Sequence, residues 1–151
     1  MTPADIASLG KLGGTAMLGL SAIGSGLGAG VAAWSAVGAW KKCYAQNKLA
    51  PFMLVAFIGA PLSQTIYGFI VMRFILAAAD AGGAWPSLMG AGVFGGIAMG
   101  LSAWVQGKAG AACADALAET GQGTANYFMA IGIIETVALF TLAFITQAIK
   151  V

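Results

Sequence analysis

Glu135 is the one charge in an apolar run from about Thr124 to Ala148. As a helix that run spans roughly 35–40 Å at 1.5 Å per residue, enough to cross a bilayer. The carboxylate then lies near the middle of the membrane. An isolated ionised group there is costly and is usually functional, so the question is which residues can accompany it. Depth identifies candidates. Gln106 lies about twelve residues back from the Glu119 loop, and Glu135 about eleven residues in from Thr124. Both fall roughly 16–18 Å below one membrane surface. Gln64 is about thirteen residues into its own segment, and Ser63 is its neighbour. Pro61 has no N–H, so the Phe57 carbonyl four residues back loses its helical partner. Carbonyls around it, Ala60 among them, can tilt toward a ligand, and the spacing does not choose between them.

The set at this level is a carboxylate, two amide oxygens, the hydroxyls of Ser63 and Thr136, the Tyr67 phenol and a backbone oxygen. These are hard oxygen donors of the kind hard cations take. One negative charge balances one Na⁺. A proton needs the carboxylate alone, since burial favours its neutral form. Taken singly, Gln64, Gln106 and Ser63 serve equally well as interhelical hydrogen-bond glue. Level with the acid, they read as ion coordination.

The surrounding composition is that of a membrane protein. Of 151 residues, 60% are hydrophobic and 8% charged, against about 25% charged in soluble domains. A net charge of +2 with no basic cluster argues against nucleic acid. Histidine is absent, which removes the commonest metal ligand and proton shuttle. Cys43 and Cys113 form no metal pattern and read as small packing residues. Residues 1–9 lack a basic region and do not read as a cleaved signal peptide.

Four apolar segments predict an all-α membrane protein of four transmembrane helices. They run from about Leu12 to Trp40, Pro51 to Ala79, Pro86 to Leu117, and Thr124 to Ala148. The breaks are Lys41–Lys48, Asp80–Gly83 and Ala118–Gly123. Pro51 and Pro86 are expected in first helical turns. Short connections make two fused helical hairpins, residues 1–80 and 81–151, with both termini on one side. Lys41, Lys42 and Lys48 put the first loop in the cytoplasm, although Lys11, Arg73 and Lys150 lie toward the other side. Lys108, about 200° round from Gln106, is expected to snorkel or to face the interior of an assembly. Arg73 is expected to snorkel at the far interface, and Trp34, Trp40, Trp85 and Trp104 to be partly interfacial.

Glycines cluster in the first and third segments. Gly24, Gly26, Gly28 and Gly30 nest two GxxxG spacings, and Gly92, Gly96, Gly100 and Gly107 continue a row of small residues. Such faces let backbones approach closely in lipid. They suit an inner position where several copies converge. The second and fourth segments, rich in Phe, Ile, Leu and Met, suit lipid-facing positions.

The hairpins also match each other. Gly19–Gly26 aligns with Gly100–Gly107. Ser63–Phe69 aligns with Ile134–Phe140, which sets Gln64 against Glu135. The first hairpin carries an amide where the second carries the acid, so there is one ionisable site per two hairpins.

These residues resemble the membrane-rotor proteolipid (c or K subunit) of V-type and A/V-type rotary ATPases. The resemblance covers nearly the whole chain. Its most specific pieces are Pro61–Phe69, Gln106-Gly107-Lys108 and Glu135-Thr136, which are most similar to sodium-translocating members. It implies an ion site of Glu135, Gln64, Gln106, Ser63 and the Ala60 carbonyl, with Tyr67 bonding the carboxylate. Ser63 stands where Thr is common, and the hydroxyl survives. It further implies a homo-oligomeric ring, a stator subunit with half-channels and an arginine, and a central stalk docked on the cytoplasmic loops. The chain would not be an enzyme by itself: it has no Walker motif and would need no organic cofactor. The cell membrane of a bacterium or archaeon is the expected location. The alternatives are the same rotor carrying H⁺, a small channel or transporter not coupled to ATP, and a purely structural proteolipid.

Overall fold

The computed structural model describes residues 2–149. Helix α1 (Pro3–Ala45) is followed by α2 (Leu54–Gly59), a 3-10 turn (Ala60–Leu62), α3 (Ser63–Asp80), α4 (Trp85–Thr120) and α5 (Thr124–Ala148). The helix α2, the turn and α3 act as one rod, giving four rods among the described residues that are long and apolar enough to cross a membrane. The protein is a multi-pass membrane protein of two consecutive helical hairpins.

Several helix boundaries differ from expectation. Helix α1 starts nine residues before Leu12, because Thr2 and Asp5 form a reciprocal cap with Pro3 in the first turn. The Asp5 N–H donates to Thr2 Oγ1 at 3.2 Å, and the Thr2 N–H donates to Asp5 Oδ2 at 2.8 Å. At its other end α1 continues through Lys41 and Lys42 to Ala45. Charge ends the apolar span but not the helix, since lysine is a good helix former. The chain breaks where Asn47 takes a φ of 54°. Pro51 consequently precedes α2 and is not in its first turn; its carbonyl accepts the Trp40 indole N–H at 2.9 Å. Pro86 does occupy the first turn of α4. The Gly121 cap, with a φ of 66°, and Gly123 (φ 86°) make the tight turn into α5, which runs over the predicted residues.

Helices α1 and α4 pack backbone to backbone. A Cβ added at Gly24 would collide with the Gly100 backbone, at Gly107 with Gly28, and at Gly92 with Gly13. Gly96 lies over Ala16, Met17 and Leu20. Gly26 and Gly30 lie off this seam and have nothing within 4 Å of an added Cβ. Each is two residues from Gly28, about 200° round the helix. Helix α5 is the most peripheral: Met129, Ile133, Val137, Phe140 and Phe144 are all exposed.

An ion pair sits near each end of the bundle. Lys11 meets Asp80 at 2.6 Å, and Lys42 meets Glu119. The two lysines are 31 residues apart on α1, about 46 Å along a helix, close to the full thickness of a bilayer with its headgroups. The Lys42 end also carries the first and third loops. Lys150 lies outside the described residues. Arg73 is exposed. Lys108 places its Nζ 4.0 Å from the centroid of the Trp104 ring, a cation–π contact along one face of α4. Trp104 lies two residues before Gln106 on α4. Cys43 and Cys113 are free and buried.

Candidate ion site

The second rod delivers its polar residues through a local break. Pro61 cannot donate to the Phe57 carbonyl, and the chain tightens into the 3-10 turn there. The freed carbonyl turns toward α4, where only glycine gives it room: a Cβ at Gly110 would stand 2.9 Å from the Phe57 oxygen. The Ala60 carbonyl stays within its own rod. It accepts the Ser63 hydroxyl at 3.0 Å and the Ser63 backbone N–H.

From Ser63 one hydrogen-bonded chain runs to the acid. The Ser63 hydroxyl also lies 3.2 Å from Gln64 Oε1. Gln64 Nε2 donates to Gln106 Oε1 at 2.9 Å. Gln106 Nε2 donates to the Ile131 carbonyl at 3.2 Å and to Glu135 Oε2 at 3.3 Å. The Tyr67 hydroxyl donates to Glu135 Oε1 at 2.7 Å. Both carboxylate oxygens thus accept a bond from another helix. Gln64 and Gln106 are fully buried, while Ser63, Tyr67 and Glu135 are half-buried.

The direction of these bonds matters. From Gln64 onward the chain of amide donors leads to Glu135, and Tyr67 donates to it from the other side, as suits an acceptor that is negatively charged or awaiting a cation. Apolar clusters close the network above and below. One contains Phe57, Ala114, Leu117 and Ile131; the other contains Met17, Val71, Met99 and Ala138. With water excluded on both sides, each polar bond is stronger and each unmade one more costly.

Of the residues singled out by sequence, Glu135, Gln64, Gln106, Ser63, Tyr67 and the Ala60 carbonyl come together. Thr136 does not. Its hydroxyl donates to the Ile133 carbonyl of its own helix at 2.7 Å, a satisfaction open to any helical threonine. Two participants were missed by sequence reasoning. Ser102 donates to the Ile134 carbonyl at 3.1 Å, tying α4 to α5 one turn from Gln106. The Ile131 carbonyl receives half of the Gln106 amide. A serine four residues before Gln106 was the available signal for the first; backbone acceptors leave none.

The fold and the site define a four-span membrane protein built round one carboxylate-centred polar network. Residues 89–145, which include Gln106 and Glu135, match the family model for the C subunit of ATP synthase. The chain is also 36% identical over 111 residues to the K subunit of the A-type ATP synthase of Methanocaldococcus jannaschii. That match takes in 74% of this chain and 48% of the relative, so the chain spans about half the length of the relative it matches.

Proposed function

We propose that this chain is an ion-carrying rotor-ring subunit of an A- or V-type rotary ATPase or ATP synthase, with Na⁺ as cargo at Glu135. The observation that carries the reading is the continuous network from Ser63 through Gln64 and Gln106 to Glu135, which gathers oxygen donors from two rods beside the acid. After their bonds in that network the Gln64 and Gln106 amide oxygens and the Ser63 oxygen each keep a lone pair for a cation. The Ala60 carbonyl lies beside Ser63 to complete the set. Similarity to components of ATP synthases supports the assignment to a rotor.

In this reading copies of the chain close into a homo-oligomeric ring in the cell membrane, duplicated from an ancestral hairpin (residues 1–80 and 81–151). Facing lipid, the Na⁺ neutralises Glu135, because a bare carboxylate there is too costly. Tyr67 and Gln106 hold the carboxylate oriented while the ion is bound. Facing a separate stator, an arginine of that stator competes for Glu135 and releases the ion into a half-channel. Arg73 does not serve here: it lies nine residues beyond Gln64 on an exposed face. The loops at the Lys42 end meet the central stalk. ATP is handled by other parts of the machine.

Carbodiimide labelling tests the cargo. Na⁺ is expected to slow modification of Glu135. Absence of protection at any Na⁺ concentration sinks the sodium reading and leaves the same rotor carrying H⁺. Glu135→Gln is expected to abolish ATP-driven transport; intact transport in that variant removes the rotor reading itself.

A further inference from the structure

Ser25 is a buried polar side chain that the ion site does not use. It is 1% exposed, and its hydroxyl has no hydrogen-bond partner among the described residues. A helical serine normally has an easy partner in the carbonyl four residues back, as Ser21 has in Met17 at 2.7 Å. Ser25 does not take it. A buried hydroxyl left unpaired is destabilising, so its partner is worth locating.

Packing fixes where Ser25 lies. An added Cβ on Gly68 would strike Ser21, and one on Gly28 would stand 3.0 Å from Pro61 Cβ. The two helices run antiparallel. Ser25 is four residues on from Ser21, and Gln64 is four residues back from Gly68. Ser25 is also three residues before Gly28, and Gln64 three after Pro61. Both registers set Ser25 opposite Gln64. The hairpin alignment leads to the same pair, since it sets Ser25 against Gln106 and Gln64 against Glu135.

Gln64 has a matching group to spare. Its Oε1 faces Ser63, and one N–H goes to Gln106. The second N–H of the amide has no partner on the network, and Gln64 is 0% exposed. By this register, the stretch of α1 that carries an unspent acceptor lies opposite the stretch of α3 that carries an unspent donor. We propose that Ser25 is a positioning residue of the ion site. Its hydroxyl accepts the second Gln64 N–H, directly or through one water, and so keeps the Gln64 carbonyl end turned toward Ser63 and the ion. Without it the amide is free to flip and present its N–H₂ end to a cation.

The effect on the ion rests on the sodium reading; the Ser25–Gln64 bond does not. The experiment uses the assembled protein in mild detergent, with Ser25→Ala, Gln64→Ala and the double variant. In wild type, Na⁺ protection of Glu135 from carbodiimide is measured first. Ser25→Ala should raise the half-protecting Na⁺ concentration about fivefold. It should do nothing further once Gln64 is alanine, and Ser25→Thr, which keeps the hydroxyl, should restore most of the affinity. An unchanged half-protecting concentration in Ser25→Ala overturns the proposal. If wild type itself shows no Na⁺ protection, the sodium reading has failed and the bond is judged by thermal unfolding in Na⁺-free buffer. Non-additive midpoints for the two single variants support it, and additive midpoints overturn it.

Discussion

The Gln64 side-chain amide donates to the Gln106 amide oxygen at 2.9 Å, joining residues 42 positions apart on two different rods. This bond connects a helix that carries no charge at mid-depth to the helix that touches Glu135. Both amides are fully buried, so neither can exchange its partner for water at low cost. The pair fixes the depth and rotation of α3 against α4, and with them the positions of Ser63 and Tyr67.

Tyr67 donates the shortest bond to the acid, 2.7 Å to Oε1. Tyr67→Phe removes that donor and keeps the ring. A hydrogen bond to a charged group contributes about 1.5–3 kcal/mol. The half-protecting Na⁺ concentration in carbodiimide labelling should therefore rise by about tenfold or more, with the protein still folded by circular dichroism.

Thr136 provides the contrasting case. Its hydroxyl is satisfied by Ile133 on its own helix. Thr136→Val should leave Na⁺ protection of Glu135 unchanged in the same assay. A loss comparable to that of Tyr67→Phe would mean that Thr136 serves the site.

The seam between α1 and α4 predicts opposite outcomes for similar glycines. A Cβ at Gly107 collides with the Gly28 backbone, which cannot move aside as a flexible side chain can. Gly107→Ala should destabilise the protein by about 2 kcal/mol or more, read as a lowered thermal midpoint in detergent. At Gly26 an added Cβ meets nothing. Gly26→Ala should leave the protomer's stability unchanged or raise it by up to about 1 kcal/mol through helix propensity, read as an unchanged or higher thermal midpoint.

Pro61→Ala supplies the missing N–H four residues after Phe57. The 3-10 turn at Ala60–Leu62 should relax to α-helix. The Phe57 carbonyl should withdraw from Gly110, and Ser63 should rotate relative to Gln106. Weakened Na⁺ protection with a largely preserved unfolding midpoint is the expected result. Equal protection in wild type and variant would show that the turn does not position the site.

The class of protein and the identity of the central acid follow from the sequence alone. One carboxylate in an apolar run, four segments long enough to span, and rows of small residues are one-dimensional facts. Lipid enforces them strictly, because unpaired backbone and unpaired charge are both costly there. Depth along a helix is likewise a count of residues, so Gln64, Gln106 and Glu135 could be set level without coordinates. Rotation about each helix could not. Thr136 is one residue from Glu135 and Tyr67 is three from Gln64, yet it is Tyr67 that reaches the carboxylate while Thr136 bonds its own helix. Gly24 and Gly26 look alike in a GxxxG pattern, yet only one touches α4. The direction of the carbonyls around Pro61 and the place of Ser25 were decided by packing as well. Each depends on which face of a helix meets which neighbour, and in a chain apolar on nearly every side hydrophobic periodicity does not mark that face. Sequence determined that Glu135 would need company at its depth; the tertiary structure decided which of the level residues turn toward it.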